Sequence, residues 1–330
     1  HRAPSRGGRL SVGDRVSTAP TPFRSVAEVQ AGLESASYIC STQIATAVYL
    51  ALELDKPILV EGPPGVGKTE LAKTTAALLN HPLIRLQCYE GLDEAKALYE
   101  WKYAKQLLYI QVLKEQLGDV LAGAKGLQAS LERLHEFGDV FFSEDFLEPR
   151  PLLKALQEEA GAVLLIDEID KADQEFESML LELLSDFQVS IPELGTMRAK
   201  GPRPLVFLTS NNTREVSDAL KRRCLHLYIP FPEATLERAI VHARVPEIPP
   251  ALERELVAFI QALREKDLKK VPAISETIDW ARTLILLHAD SLDPQMVRET
   301  LNVVLKFQDD IEAVESELTS LTSRATGGRR

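Results

Sequence analysis

The stretch Gly62-Pro63-Pro64-Gly65-Val66-Gly67-Lys68-Thr69 decides how the rest of the chain is read. It fulfils G-x-x-x-x-G-K-[ST] at every fixed position. Its glycines let backbone N–H groups turn inward as an anion nest. The apolar run Pro57 to Val60 before it reads as a buried parallel strand. The segment from Lys68 to about Leu79 reads as a helix, closed by Asn80 and Pro82. Strand, loop and helix together aim a positive helix end at bound phosphate. Lys68 is expected to reach the β- and γ-phosphates of ATP, and the Thr69 hydroxyl to hold Mg²⁺. The nucleotide-binding set is therefore Gly62, Pro63, Pro64, Gly65, Val66, Gly67, Lys68 and Thr69, continuing into Glu70. No N-K-x-D follows the loop, which disfavours GTP.

Further apolar strands follow at Leu83 to Leu86, Ala162 to Ile166, Leu205 to Leu208 and Leu225 to Ile229. Phe176, Met179, Leu180, Leu183 and Leu184 mark one face of a helix between them. Such alternation predicts an α/β fold, a P-loop NTPase with a doubly wound parallel sheet. From Gln87 to Phe142 the pattern becomes helical and reads as an insertion, at about 88–142. Around Glu193, Leu194 and Gly195 a hairpin is expected. After Pro232 only helical patterns remain, at Thr235–Arg244, Leu252–Lys266, Thr277–Leu287 and Pro294–Leu318. The expected organisation is a flexible tail at 1–24, a core at 25–232, an all-α lid domain at 233–320 and a disordered tail at 321–330. Ser25 and Glu28 have capping-box spacing for the first helix.

Asp167 and Glu168 end the strand Val163 to Ile166, at the sheet edge where open α/β proteins bind ligands. Asp167 is expected to hold Mg²⁺ with Thr69. Glu168 is expected to be the general base on the attacking water. Asn211 and Asn212 end the strand Leu205 to Leu208, and an amide there can orient that water. Lys221, Arg222 and Arg223 cluster at a helix end. An arginine reaching across a subunit boundary stabilises phosphoryl-transfer charge, although a helix end also attracts cations without any such role.

Composition narrows the partners. The 330 residues carry 38 basic and 49 acidic side chains, a net charge of -11, which disfavours nucleic acid. No apolar run is long enough to span a bilayer. Cys40, Cys88 and Cys224 are scattered, without metal spacing, and fit a reducing, cytoplasmic setting.

These elements, in this order, resemble the AAA+ ATPases over about residues 38 to 290. The phosphate loop resembles Walker A, and Asp167-Glu168 resembles Walker B. Asn212 resembles sensor 1, with Asn211 as rival because the repeat leaves the register open. Arg223 resembles the arginine finger, with Arg222 second. Glu61-Gly62 through Lys73, the insertion and the helix-then-hairpin at Glu168–Ala199 resemble the MoxR group. Gln87 to Asp93 and Leu220 to Pro232 resemble its CoxD-like branch. The resemblance implies a ring oligomer, commonly a hexamer, acting in a chaperone-like way with a von Willebrand A-domain protein on a metalloenzyme client. One departure stands out: the lid segment Ser275-Glu276-Thr277-Ile278 lacks the group's sensor 2 arginine, and Arg282 is the substitute candidate. That departure motivates a second reading, a nucleotide-gated scaffold with slow hydrolysis, and the motifs shared with DNA-associated loaders leave that third reading open.

Overall fold

The structure is a computed structural model and describes residues 22–121, 142–192 and 194–327. Two helices, α1 (Val26–Ser35) and α2 (Thr42–Leu54), precede β1 (Ile58–Glu61). Ser25 and Ser41 cap them by accepting from the N–H groups of Glu28 and Ile44. The phosphate loop leads into α3 (Lys68–Leu79), and β2 (Leu83–Gln87) follows. Beyond an excursion come β5 (Val163–Asp167), α7 (Gln174–Asp186), the β6–β7 hairpin (Gln188–Ile191, Gly195–Arg198), β8 (Leu205–Ser210), α8 (Asp218–Arg223) and β9 (Leu225–Tyr228).

Five strands form one parallel sheet in the order β2-β5-β8-β1-β9. Alternate side chains serve opposite layers. Ile58, Val60, Val163, Leu165 and Phe207 pack with α1, α2 and α3. Leu59, Ile84, Leu164, Ile166 and Leu208 pack on the other face with α7 and with α6 (Pro151–Gln157). Each such aliphatic side chain contributes about 1.5–3 kcal/mol by leaving water. The two central strands, β5 and β8, are buried along their whole length, as two-sided cover requires.

The excursion differs from the purely helical insertion expected at 88–142. It comprises α4 (Glu94–Ala97), β3 (Tyr99–Trp101), α5 (Tyr103–Leu121) and β4 (Leu147–Pro149). Strands β3 and β4 pair antiparallel, Trp101 opposite Leu147, so the excursion closes at Pro149. Three-residue strands are too short to carry a readable period. The helical segment expected around Leu121 to Phe137 lies almost wholly outside the described residues, as does Glu193 of the hairpin.

The lid is helical as expected: α9 (Ala234–Arg244), α10 (Pro250–Arg264), α11 (Ile274–Leu286), α12 (Pro294–Val304), α13 (Gln308–Ser316) and α14 (Leu318–Ala325). Its core centres on buried Trp280, whose indole N–H donates to Thr300 Oγ1 at 2.8 Å, beside Phe259. Glu237 is fully buried, and Arg264 meets both its oxygens at 2.7 Å. Two expectations are corrected here. The single helix expected over Pro294–Leu318 is two helices, α12 and α13, broken where Leu305 and Phe307 are extended, and α14 begins only at Leu318. The tail expected from residue 321 is helical through Ala325, because Leu321 and Thr322 are buried in the lid. At the other end, residues 1–21 lie outside the described residues, while Phe23 packs against the α1–α2 layer. Among the described residues no helix is long and apolar enough to cross a membrane.

Candidate nucleotide site

The carboxyl ends of β1, β2, β5 and β8 open into a cleft of about 1000 Å³ between core and lid. The phosphate loop forms its floor. Gly62 and Gly65 have φ of 150° and 77°, the positive range that only glycine tolerates freely. A Cβ on Gly62 would stand 2.2 Å from the carbonyl oxygen of Ile229. Lys68 is buried, and its ammonium donates to the carbonyls of Gly62 (2.7 Å) and Pro63 (2.8 Å) and to Asn211 Oδ1 (2.8 Å). Burial pulls its pKa down to about 8, against the opposing pull of Asp170, Asp167 and Glu168.

Strand alternation places the chemistry. Val163, Leu165 and Asp167 share the α3 face of β5; Phe207, Thr209 and Asn211 share that face of β8 and its end. Asp167 is buried and receives hydrogen bonds from the hydroxyls of Thr69, at 3.2 and 3.3 Å, and Thr209. Glu168 leaves the strand with φ 58° and ψ 51°, a left-handed conformation uncommon for a non-glycine residue and concentrated at functional sites. Its N–H donates to Thr209 Oγ1 at 2.9 Å. Its carboxylate meets Gln87 Nε2 at 3.0 Å and the Lys171 ammonium.

Asn211, not Asn212, faces the phosphate loop. Asn211 lines the cleft on Lys68, whereas Asn212 is exposed, has φ 58° and turns back toward Ser210 Oγ. The sequence leaves the register open between the two, and of the pair only Asn211 meets Lys68.

Arg222 and Arg223 end α8, are exposed and do not line this cleft; Arg223 Nε donates to Ser185 Oγ at 2.8 Å. Helix α8 is fixed to α7 by the buried Glu177, which takes the Ser217 N–H at 3.0 Å and the Arg214 guanidinium. Arg282 does line the cleft, 3.7 Å from Asp279. Two residues that sequence reasoning missed join it there. Arg244, on α9, reaches Glu70 Oε1 at 3.2 Å, and Arg85, on β2, reaches Asp167 Oδ2 at 2.6 Å. Arg85 and Gln87 were detectable as polar residues on one face of an otherwise apolar strand.

The remaining wall is apolar, built by Ile39, Ile44, Ile229, Phe231, Leu236 and Ile278. Such a surface can take a flat, weakly polar ring. Phosphate-binding floor, paired acids, an amide and an apolar side pocket define a P-loop nucleoside triphosphatase.

Comparison with known proteins agrees. Residues 57–224 match the AAA domain family, dynein-related subfamily. The chain therefore belongs to the AAA domain family, dynein-related subfamily, and is an ATPase. The denitrification regulatory protein NirQ of Stutzerimonas stutzeri is 24% identical over 269 residues, covering 75% of this chain and 83% of that protein. The gas vesicle ATPase GvpN of Haloferax mediterranei is 26% identical over 237 residues, covering 68% and 61%. Among solved structures, the RuvB Holliday junction branch migration motor of Thermotoga maritima aligns over 79% of this chain and 67% of its own, at 19% identity and a TM-score of 0.42.

Proposed function

We propose that this ATPase works as an oligomeric ring, with Arg223 and Arg222 of one subunit acting at the cleft of the next, and that it remodels a partner protein. The carrying observation is a division of labour. Lys68, Thr69, Asp167, Glu168 and Asn211 converge on one cleft, while the two arginines sit outside it on an exposed helix end. A neighbouring subunit is the partner such a helix end requires to do chemistry.

Within the cleft, Lys68 and the loop amides hold the β- and γ-phosphates. Asn211 and Glu168 position the attacking water, and Glu168 takes its proton. The oxygens of Thr69 and Asp167 suit Mg²⁺, which when bound would neutralise developing phosphate charge. Arg282 and Arg244 give the lid cations that face the same space, in place of the arginine missing at 275–278. Maturation of a metalloenzyme client, with a von Willebrand A-domain partner and in the CoxD-like manner, is the specific form of remodelling we favour.

The test mixes two inactive proteins. Arg223→Ala and Glu168→Gln should each be inactive alone and regain part of the ATPase activity together. Specific activity of the native protein should also rise with its concentration. Activity that is flat with concentration and indifferent to Arg223 would leave a single-subunit, nucleotide-switched scaffold as the better account.

A further inference from the structure

We propose that Arg85 is the counter-ion of Asp167 in the metal-free site, displaced when a divalent cation enters with nucleotide. It rests on the reading of Thr69 and Asp167 as the metal-holding pair. Three observations carry it.

First, Arg85 is the cation on Asp167. Its Nη2 lies 2.6 Å from Asp167 Oδ2 and 2.8 Å from Gln87 Oε1. The carboxylate's other side-chain donors among the described residues are two neutral hydroxyls, of Thr69 and Thr209. The Lys68 ammonium, the other obvious candidate, is occupied by two loop carbonyls and Asn211. A carboxylate 5% exposed is costly to leave without a positive partner.

Second, the two donors converge on one atom. Asp167 Oδ2 also accepts from Thr69 Oγ1, at 3.3 Å. A divalent cation held by Thr69 and this carboxylate competes with the guanidinium for the same oxygen. Arginine keeps its charge at any working pH, so it cannot yield by losing a proton. It has to move.

Third, Arg85 is free to move. Its side chain is 48% exposed, on β2 at the sheet edge, and it borders the open cleft. The exchange therefore needs only a side-chain rotation into existing space.

The consequence is a particular pattern of metal dependence. With Arg85 present, Asp167 is neutralised even without metal, so nucleotide phosphates meet no bare carboxylate. Without Arg85, binding in the absence of metal meets that repulsion, while metal binding loses its competitor.

The experiment titrates a fluorescent ADP derivative into native protein, Arg85→Ala and Arg85→Lys, once with Mg²⁺ and once with EDTA. Thermal melting of each variant confirms folding. Arg85→Ala should bind about tenfold more weakly in EDTA, equivalent to about 1.4 kcal/mol. With Mg²⁺ it should bind as well as native protein or better, with a lower half-saturating Mg²⁺ concentration. Arg85→Lys should recover part of the EDTA affinity. Equal loss in both conditions would mean that Arg85 grips phosphate directly, and no change in either would remove it from the site; both overturn the proposal. Native protein that binds the probe with no Mg²⁺ dependence would overturn the metal reading beneath it, a result separable from the others because it appears before any variant is compared.

Discussion

Asn211 Oδ1 accepts a hydrogen bond from the Lys68 ammonium at 2.8 Å, joining the end of β8 to the phosphate loop across 143 positions of sequence. The neighbouring Asn212 faces away. Asn211→Ala should therefore lower ATP hydrolysis about ten- to hundredfold, the scale of one hydrogen bond to a charged group. Asn212→Ala should stay within about twofold, as an exposed substitution does. Steady-state hydrolysis of the two variants decides it; a larger loss at Asn212 would return the sensor role to that residue.

Glu168 lines the cleft, where Gln87 Nε2 and the Lys171 ammonium hold its carboxylate. Glu168→Gln keeps the shape and removes the base. Hydrolysis should fall by about 10² to 10⁴, while nucleotide affinity changes little. Isothermal titration beside a turnover assay separates the two. Loss of binding together with turnover would make Glu168 a structural residue of the cleft.

The lid depends on one buried ion pair. Glu237 is fully enclosed and accepts from Arg264, Gln261 and Thr277, so removing it strands the Arg264 charge. Glu237→Ala should cost about 3–5 kcal/mol in urea unfolding. Removing Arg264 as well should restore part of that loss. A cost below about 1 kcal/mol would show that water reaches the pair.

Burial pushes the Cys40 thiol up to about 11, and those of Cys88 and Cys224 up to about 12, from an ordinary 9.0. Nearby Asp167, Asp170 and Glu168 add to the effect at Cys88. The folded chain thus keeps these protons over a window in which the unfolded chain has lost them. Their contribution to stability is present below pH 9 and is lost as pH rises from there toward 11–12, by about 1.4 kcal/mol per thiol for each pH unit crossed. Iodoacetamide at pH 8.5 should label native protein slowly and urea-unfolded protein at all three cysteines. Rapid native labelling would place a thiolate on the surface.

Much of this was legible in the sequence because its signals are periodic. The sheet strands, the phosphate loop, Asp167 and Glu168 each announce themselves within a few residues. Other features failed for physical reasons. Strands β3 and β4 draw their stability from each other, 46 residues apart at Trp101 and Leu147, and three residues carry no period. The last helix, Leu318–Ala325, has weak apolar content and is held by tertiary packing of Leu318, Leu321 and Thr322. Arg85 was overlooked because an arginine in an edge strand has an ordinary meaning until its neighbour across the sheet is known.

The phosphate loop carries one further consequence. A Cβ on Gly65 would come within 2.7 Å of both the Ala273 methyl and the Ser275 hydroxyl, so the first turn of α11 rests directly on the loop. The lid is thus a roof seated on the floor at this point, with a single hydrogen atom as spacer. Loading and unloading of nucleotide share that bearing, so bulk added at Gly65 would act on the lid as well as on the phosphate loop.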